Sequence, residues 1–166
     1  MAKLKLGLIV VGVALAAAGC GSSSNEAATT TASPPSAGPG HVLYQGSAWA
    51  VVLRDGKAVA KHLVDGSWVA DRSGAVEVSV LGPKAGSTAN PRRPQVAAEL
   101  KAPSPFVESA LWVDGVELLE KGGGLTPAHG TIYGAPASPL RPGRHTAVAY
   151  ARTSTHATAV AWTFSV

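Results

Sequence analysis

The chain has 166 residues with a single cysteine, and its charge is modest, 14 Lys and Arg against 10 Asp and Glu. One cysteine excludes an intrachain disulfide framework and a cysteine-rich metal centre. The basic residues are scattered, the densest pair being Arg92-Arg93 between Pro91 and Pro94, and nucleic acid binding would need a concentrated basic stripe.

The first elements are those of an export signal. Lys3 and Lys5 precede an uncharged run over residues 6–18 that holds Leu6, Leu8, Ile9, Val10, Val11, Val13 and Leu15, a charged n-region followed by an apolar h-region. As a helix this run would reach only about 20 Å against a hydrocarbon core of roughly 30 Å, which disfavours a permanent transmembrane span. Loss of the leader removes two basic residues and brings the charge closer to balance.

The run ends in Ala17-Ala18-Gly19-Cys20, which resembles the lipobox of bacterial lipoproteins. The resemblance implies cleavage between Gly19 and Cys20 and a diacylglycerol on the Cys20 thiol, with the mature chain extracytoplasmic and tethered to a membrane. Ala17 stands where that family usually carries Leu. The alternative is plain secretion, with Ala16-Ala17-Ala18 as an A-x-A cleavage site.

Residues 21–40 are Ser, Thr, Ala, Pro and Gly with Glu26 as their only charge. Such a segment cannot bury enough surface to offset its ordering entropy and is expected to be a disordered tether reaching roughly 25 Å. From His41 the hydrophobic period is two, with turn residues at short intervals, the pattern of an all-β sandwich or barrel with no long helix. Trp49, Val51 and Leu53 alternate with smaller residues, Asp55-Gly56 turns the chain, residues 57–64 return, and Asp65-Gly66 turns again, giving a β-meander over 41–74.

A second block occupies 75–166. Val76, Val78 and Val80 share one face of a strand, a Pro- and Gly-rich stretch spans 82–94, and Val96, Ala98 and Leu100 alternate in the next strand. Leu111 and Val113 lead into Asp114-Gly115, a short strand is expected at 131–133, and longer ones at 144–152 and 158–166. In the last, Val160, Trp162, Phe164 and Val166 point one way and Ala159, Ala161, Thr163 and Ser165 the other.

The segment from Leu140 through Gly143 and His145 to Tyr150, together with the closing Trp162, Phe164 and Val166 and the earlier Leu111-Trp112-Val113-Asp114-Gly115, is similar to bacterial immunoglobulin-like domains. The resemblance implies an antiparallel β-sandwich over about 75–166. It also sets His145 where a tyrosine corner would place its Tyr, bonded back to the backbone, so His145 is read as a structural residue.

The ending is also similar to periplasmic copper-binding sandwich proteins, and that resemblance would make His41 and His156 the ligands. The family's Asp-Gly-His turn is replaced by Ser154-Thr155-His156, and the five histidines, which include His62 and His129, show no short ligand spacing. Catalysis has no motif either: there is no G-x-S-x-G elbow and no HExxH. Gly122-Gly123-Gly124 lacks the Lys-Ser/Thr of a phosphate loop and reads as a flexible connection. Glu117 and Glu120 read as solvating a turn. No catalytic, cofactor or metal residue is therefore expected, and no nucleic acid partner.

What remains is a binding surface. Exposed aromatics anchor interfaces and sugar platforms. Trp112, of opposite parity to Leu111 and Val113, is one candidate, with Trp68 beside the Asp65-Gly66 turn and Tyr133 after the glycines. The competing reading sets these rings at the core edge or in the seam between meander and sandwich. The loops 82–94 and 121–130 are candidate contact regions, and the expected activity is non-catalytic binding of an envelope protein or glycan.

Overall fold

The computed structural model describes residues 36–118, the backbone of 121–123, and 129–166. The leader, Gly19, Cys20, the tether up to residue 35, Glu120 and Gly124 lie outside the described residues. All regular structure among the described residues is β, in three antiparallel sheets.

The first sheet is the meander, β1 (His41–Gln45), β2 (Trp49–Arg54), β3 (Lys57–Val64) and β4 (Ser67–Ala70), paired in sequence order. Its hairpins form where the sequence carries Asp-Gly. Asp55 and Gly56 have φ of 51° and 72°, and Asp65 and Gly66 47° and 76°, the positive pair that a type I′ turn requires and that matches strand twist. Asp114 and Gly115 repeat the geometry at 51° and 81°.

The second sheet runs β5 (Glu77–Gly82), β6 (Val96–Lys101), β10 (His129–Gly134), β9 (Lys121–Gly123). The third runs β12 (Ala157–Ser165), β11 (Arg144–Arg152), β7 (Glu108–Val113), β8 (Val116–Glu117). Gly122 and Gly123, read from the sequence as a flexible connection, pair with Ile132 and Thr131. The ladder to β10 captures them, and β10 itself is twice the short strand expected.

The third sheet is the middle layer. Toward the second sheet it turns Leu111, Val113, Ala147, Ala149, Ala151, Trp162 and Phe164, which pack with Val76, Val96, Ala98, Leu100 and Ile132. Toward the meander it turns Ala110, Trp112, Val148, Tyr150 and Ala157, which pack with Val51 and Ala60. The expected alternation of the last strand is therefore present, with Trp162 and Phe164 on one side and Ala159 and Ala161 on the other. The described residues fall in one compact unit, so the meander and the two sheets that follow are layers of one body.

One feature corrects the sequence reading, and a second adds to it. Ala37, placed in the disordered tether, is fully buried against Ala50 and Val52 on the outer face of the meander. Its N–H donates to Gln45 Oε1 at 3.2 Å, and its carbonyl accepts from Lys61 Nζ at 2.6 Å. Gly40 makes this approach, since at φ 125° a Cβ would stand 2.7 Å from Val52 Cγ1. The loop 82–94, a candidate contact region, is stitched along β12: Gly86 N–H donates to the Thr163 carbonyl at 2.7 Å, Ala89 N–H to that of Ser165 at 2.8 Å, and Ser165 N–H to that of Ser87 at 2.9 Å. It covers an edge that would otherwise present unpaired backbone groups.

Asp71 fastens the end of the meander to the β11–β12 turn. Its side chain, 5% exposed, accepts from the Ser73 amide at 2.8 Å and from the Ala157 amide at 2.7 Å, with His156 Nδ1 3.6 Å away. Burial pushes the Asp71 pKa up, but the hydrogen bonds from Ser73 and Ala157 outweigh it, so the net shift is downward from 3.8. Stability from this carboxylate is therefore present above pH 3.8 and is lost as pH falls through the lower folded value. Asp71→Ala should cost about 2 kcal/mol in urea unfolding at pH 7, the worth of hydrogen bonds to a charged group, and that difference should shrink below about pH 3. An unchanged midpoint at pH 7 would remove Asp71 as a fastener.

Candidate functional site

At the Asp114-Gly115 end of the two facing sheets lies a cleft of about 980 Å³, at the upper end of the range for small-molecule sites. One wall is the β7–β8 hairpin, with Val113, Val116 and Leu118. The other is the end of β10, with Tyr133, and the loop over 135–141 that leads to β11. Val113 and Leu118 are buried at its floor, whereas Val116 is 68% exposed on its wall. The exposed polar side chains are Arg93, Gln95, Asp114, Glu117, Ser138 and Arg141.

The 135–141 loop is held at three points. Arg93 Nε donates to the Pro136 carbonyl at 2.9 Å, Leu140 N–H to the Arg92 carbonyl at 2.9 Å, and the Arg141 carbonyl is bonded to His145 Nε2 at 2.8 Å. A loop pinned this way needs little ordering on binding, which favours affinity.

His145 joins the two walls. Its Nδ1 lies 2.6 Å from Asp114 Oδ2, while Asp114 Oδ1 accepts from the Thr146 amide at 2.9 Å and the Asp114 amide donates to the Thr146 carbonyl at 2.8 Å. The Arg141 carbonyl can only accept, so Nε2 is the protonated nitrogen there, and the carboxylate contact at Nδ1 favours a proton on that side too. Burial pushes the His145 pKa down, but the bonds to Asp114 and the Arg141 carbonyl, with the Asp114 charge, raise it overall. The ring, 7% exposed, also packs on Phe164 with centroids 5.7 Å apart.

An Asp-His pair beside a cleft invites comparison with a catalytic dyad, in which the carboxylate orients the imidazole and the second nitrogen takes a proton from a nucleophile. Here the second nitrogen is engaged by a backbone carbonyl. The imidazole has no lone pair turned to the cleft and works as a cationic brace between two walls, in line with the structural role expected of it.

The candidate aromatics do not converge. Tyr133 lines the cleft. Trp112 is 2% exposed, in the seam with the meander and 6.4 Å in centroid distance from Tyr150, whose ring in turn lies 6.0 Å from Tyr44. It cannot serve as an exposed anchor, because a third layer covers the face its parity selects. Trp68 packs on the outer face of the meander beside Ala50 and Val52. The histidines are equally dispersed. His41 lies at Gly115, where an added Cβ would stand 2.6 Å from its Cε1. His156 sits in the turn at the far end of β11, about 30 Å away at roughly 3.3 Å per residue. The proposed copper pair is not assembled, and among the described residues no group of three or more His, Cys, Asp or Glu could hold a metal ion. Glu117 lines the cleft.

Arg93 belongs to the 82–94 stretch expected as a contact region, whereas the residues sequence reasoning missed are Gln95, Arg141 and the 135–141 loop. Their only signal was a proline-punctuated, uncharged stretch, Ala135 to Leu140, between two strands. No known protein-family model matches this sequence, and no curated protein matches it.

The brace sets a pH dependence with a definite sign. A raised folded pKa gives stability that is complete below the unfolded value of 6.5 and lost as pH rises through the folded value. Thermal melts from pH 5 to pH 9 should show Tm falling above about pH 6.5, and His145→Gln should start lower and lose most of that slope. A wild-type Tm that rises over the same range would contradict the protonated brace.

Proposed function

We propose that this chain is an extracytoplasmic lipoprotein held to a membrane through Cys20, and that its folded part is a non-catalytic immunoglobulin-like binding module with its site in the cleft beside His145. Support for the module comes from the strand order. β5-β6-β10-β9 faces β12-β11-β7-β8, the arrangement of an immunoglobulin-type sandwich, and Thr88 bridges Ser165 in parallel at the β12 edge. His145 at the start of β11 bonds back to the carbonyl four residues upstream, as the Tyr of a tyrosine corner does.

The observation that carries the binding reading is a preformed, mainly apolar cleft whose one Asp-His pair is saturated by its own scaffold. Such a site offers shape, apolar contact and a few charges, which suits recognition. The anchor reading rests on Ala17-Ala18-Gly19-Cys20. Its ligand would be a component of the envelope in which the tether holds the domain.

Two measurements test the two halves. Cells fed labelled palmitate should incorporate it into the wild-type chain and not into Cys20→Ala, which should leave the membrane fraction; a membrane-bound Cys20→Ala would defeat the anchor. Envelope extract should raise the Tm of the wild type, and Val116→Lys, at an exposed position, should abolish that rise while leaving the unliganded Tm within about 2 °C. An undiminished rise in the variant would move the site out of the cleft.

A further inference from the structure

We propose that the cleft binds a long-chain carboxylate, with the apolar chain along Val113, Val116 and Leu118 and the head at Arg141 and Arg93. This rests on the reading of the cleft as a binding site and names its ligand class.

The division of the cleft carries the chemistry. Its floor holds buried Val113 and Leu118, and Val116 continues the apolar surface outward at 68% exposure. Tyr133, Pro136, Pro139 and Leu140 extend that surface on the opposite wall. The polar groups available to a ligand are exposed ones, and they are unbalanced in sign. Arg93 and Arg141 face a single unpaired acid, Glu117, because the Asp114 carboxylate is already bonded to His145 Nδ1 and the Thr146 amide.

The two arginines are differently committed. Arg93 spends Nε on the Pro136 carbonyl, which fixes its guanidinium plane and leaves the terminal nitrogens for an oxyanion. Arg141 contributes only its backbone carbonyl to the brace, and among the described residues its guanidinium has no hydrogen-bond or ion-pair partner. Planar guanidinium forks match a carboxylate in two parallel N–H···O bonds. An apolar body is needed to use the walls, and one negative head to use the arginines.

The volume accommodates such a chain: a site near 980 Å³ can take up most of a drug-sized molecule. A neutral glycan would leave the valine and proline surface without partners, and a cationic amphiphile would meet two guanidiniums.

The full chain carrying Cys20→Ala, which removes its own lipid, is titrated by calorimetry with hexadecanoate, with neutral hexadecanol, and with hexadecyltrimethylammonium below their aggregation limits. Hexadecanoate should bind at least ten-fold more tightly than either. Arg141→Glu should weaken it at least ten-fold, Glu117→Gln should tighten it several-fold, and Lys84→Glu, equal in charge change to the arginine variant but outside the cleft, should have no effect. Equal affinity for hexadecanol, or indifference to both Arg141→Glu and Glu117→Gln, overturns the carboxylate. Binding of anionic phosphatidylglycerol vesicles without hexadecanoate binding overturns it in favour of a bilayer surface. If hexadecanoate fails while Val116→Lys still abolishes the response to envelope extract, the ligand class is wrong and the cleft remains the site; if both fail, the cleft is not a binding site.

Discussion

β11 has no face left for water. Its odd-numbered side chains, Ala147, Ala149 and Ala151, enter the core shared with the second sheet, and its even-numbered ones, Val148 and Tyr150, enter the seam with the meander. β7 divides the same way, with Leu111 and Val113 on one side and Ala110 and Trp112 on the other. Without the meander, Trp112 and Tyr150 would lie open, an apolar patch that a monomeric protein rarely leaves exposed. The seam also holds charge at its border: Arg152 Nε donates to Glu108 Oε2 at 2.6 Å, and burial, followed by the Glu108 charge, pushes the Tyr150 phenol pKa up so that it stays neutral.

The same layer places the cleft. β7 ends at the Asp114-Gly115 turn and β11 begins at Arg144, so the middle sheet brings the hairpin wall and the incoming 135–141 loop to one end, where His145 ties them together. The opposite end of the layer is closed by Asp71 on the β11–β12 turn. Asp114, at positive φ in the turn, accepts from the amide of Thr146 on the partner strand. Packing, turn chemistry and the brace are thus one construction, and a change at any of them reaches the cleft walls.

Much of this was legible. Alternating apolar residues predicted β5 and β6, three Asp-Gly pairs predicted three turns, and the parity of Trp162 and Phe164 was right because a strand's side-chain period is fixed at two. Trp112 shows where parity alone stops. Its face was assigned correctly, but whether that face meets water depends on a layer formed by residues 41–70, far away in sequence. The signal was the apolar content of β11 at both parities, Ala147 through Ala151, since strands buried on both faces read as continuous apolar runs. Ala37 escaped for the opposite reason: a small residue among Ser, Pro and Gly carries no period, and only Val52 and Gly40 make its seat. The cleft had no motif, because its walls are held by backbone carbonyls of Arg92, Pro136 and Arg141, which any sequence supplies.

The account stands on the middle sheet binding the meander and the second sheet into one cooperative body. Hydrogen exchange in native conditions measures this directly, by the opening free energy of amides in β2 and β3 against those in β6 and β11. One body predicts that the slowest amides of both groups exchange with the same free energy, equal to that of global unfolding in urea. Meander amides that open several kcal/mol below those of β6 would mean that the outer sheet is an independent layer, and would contradict the account.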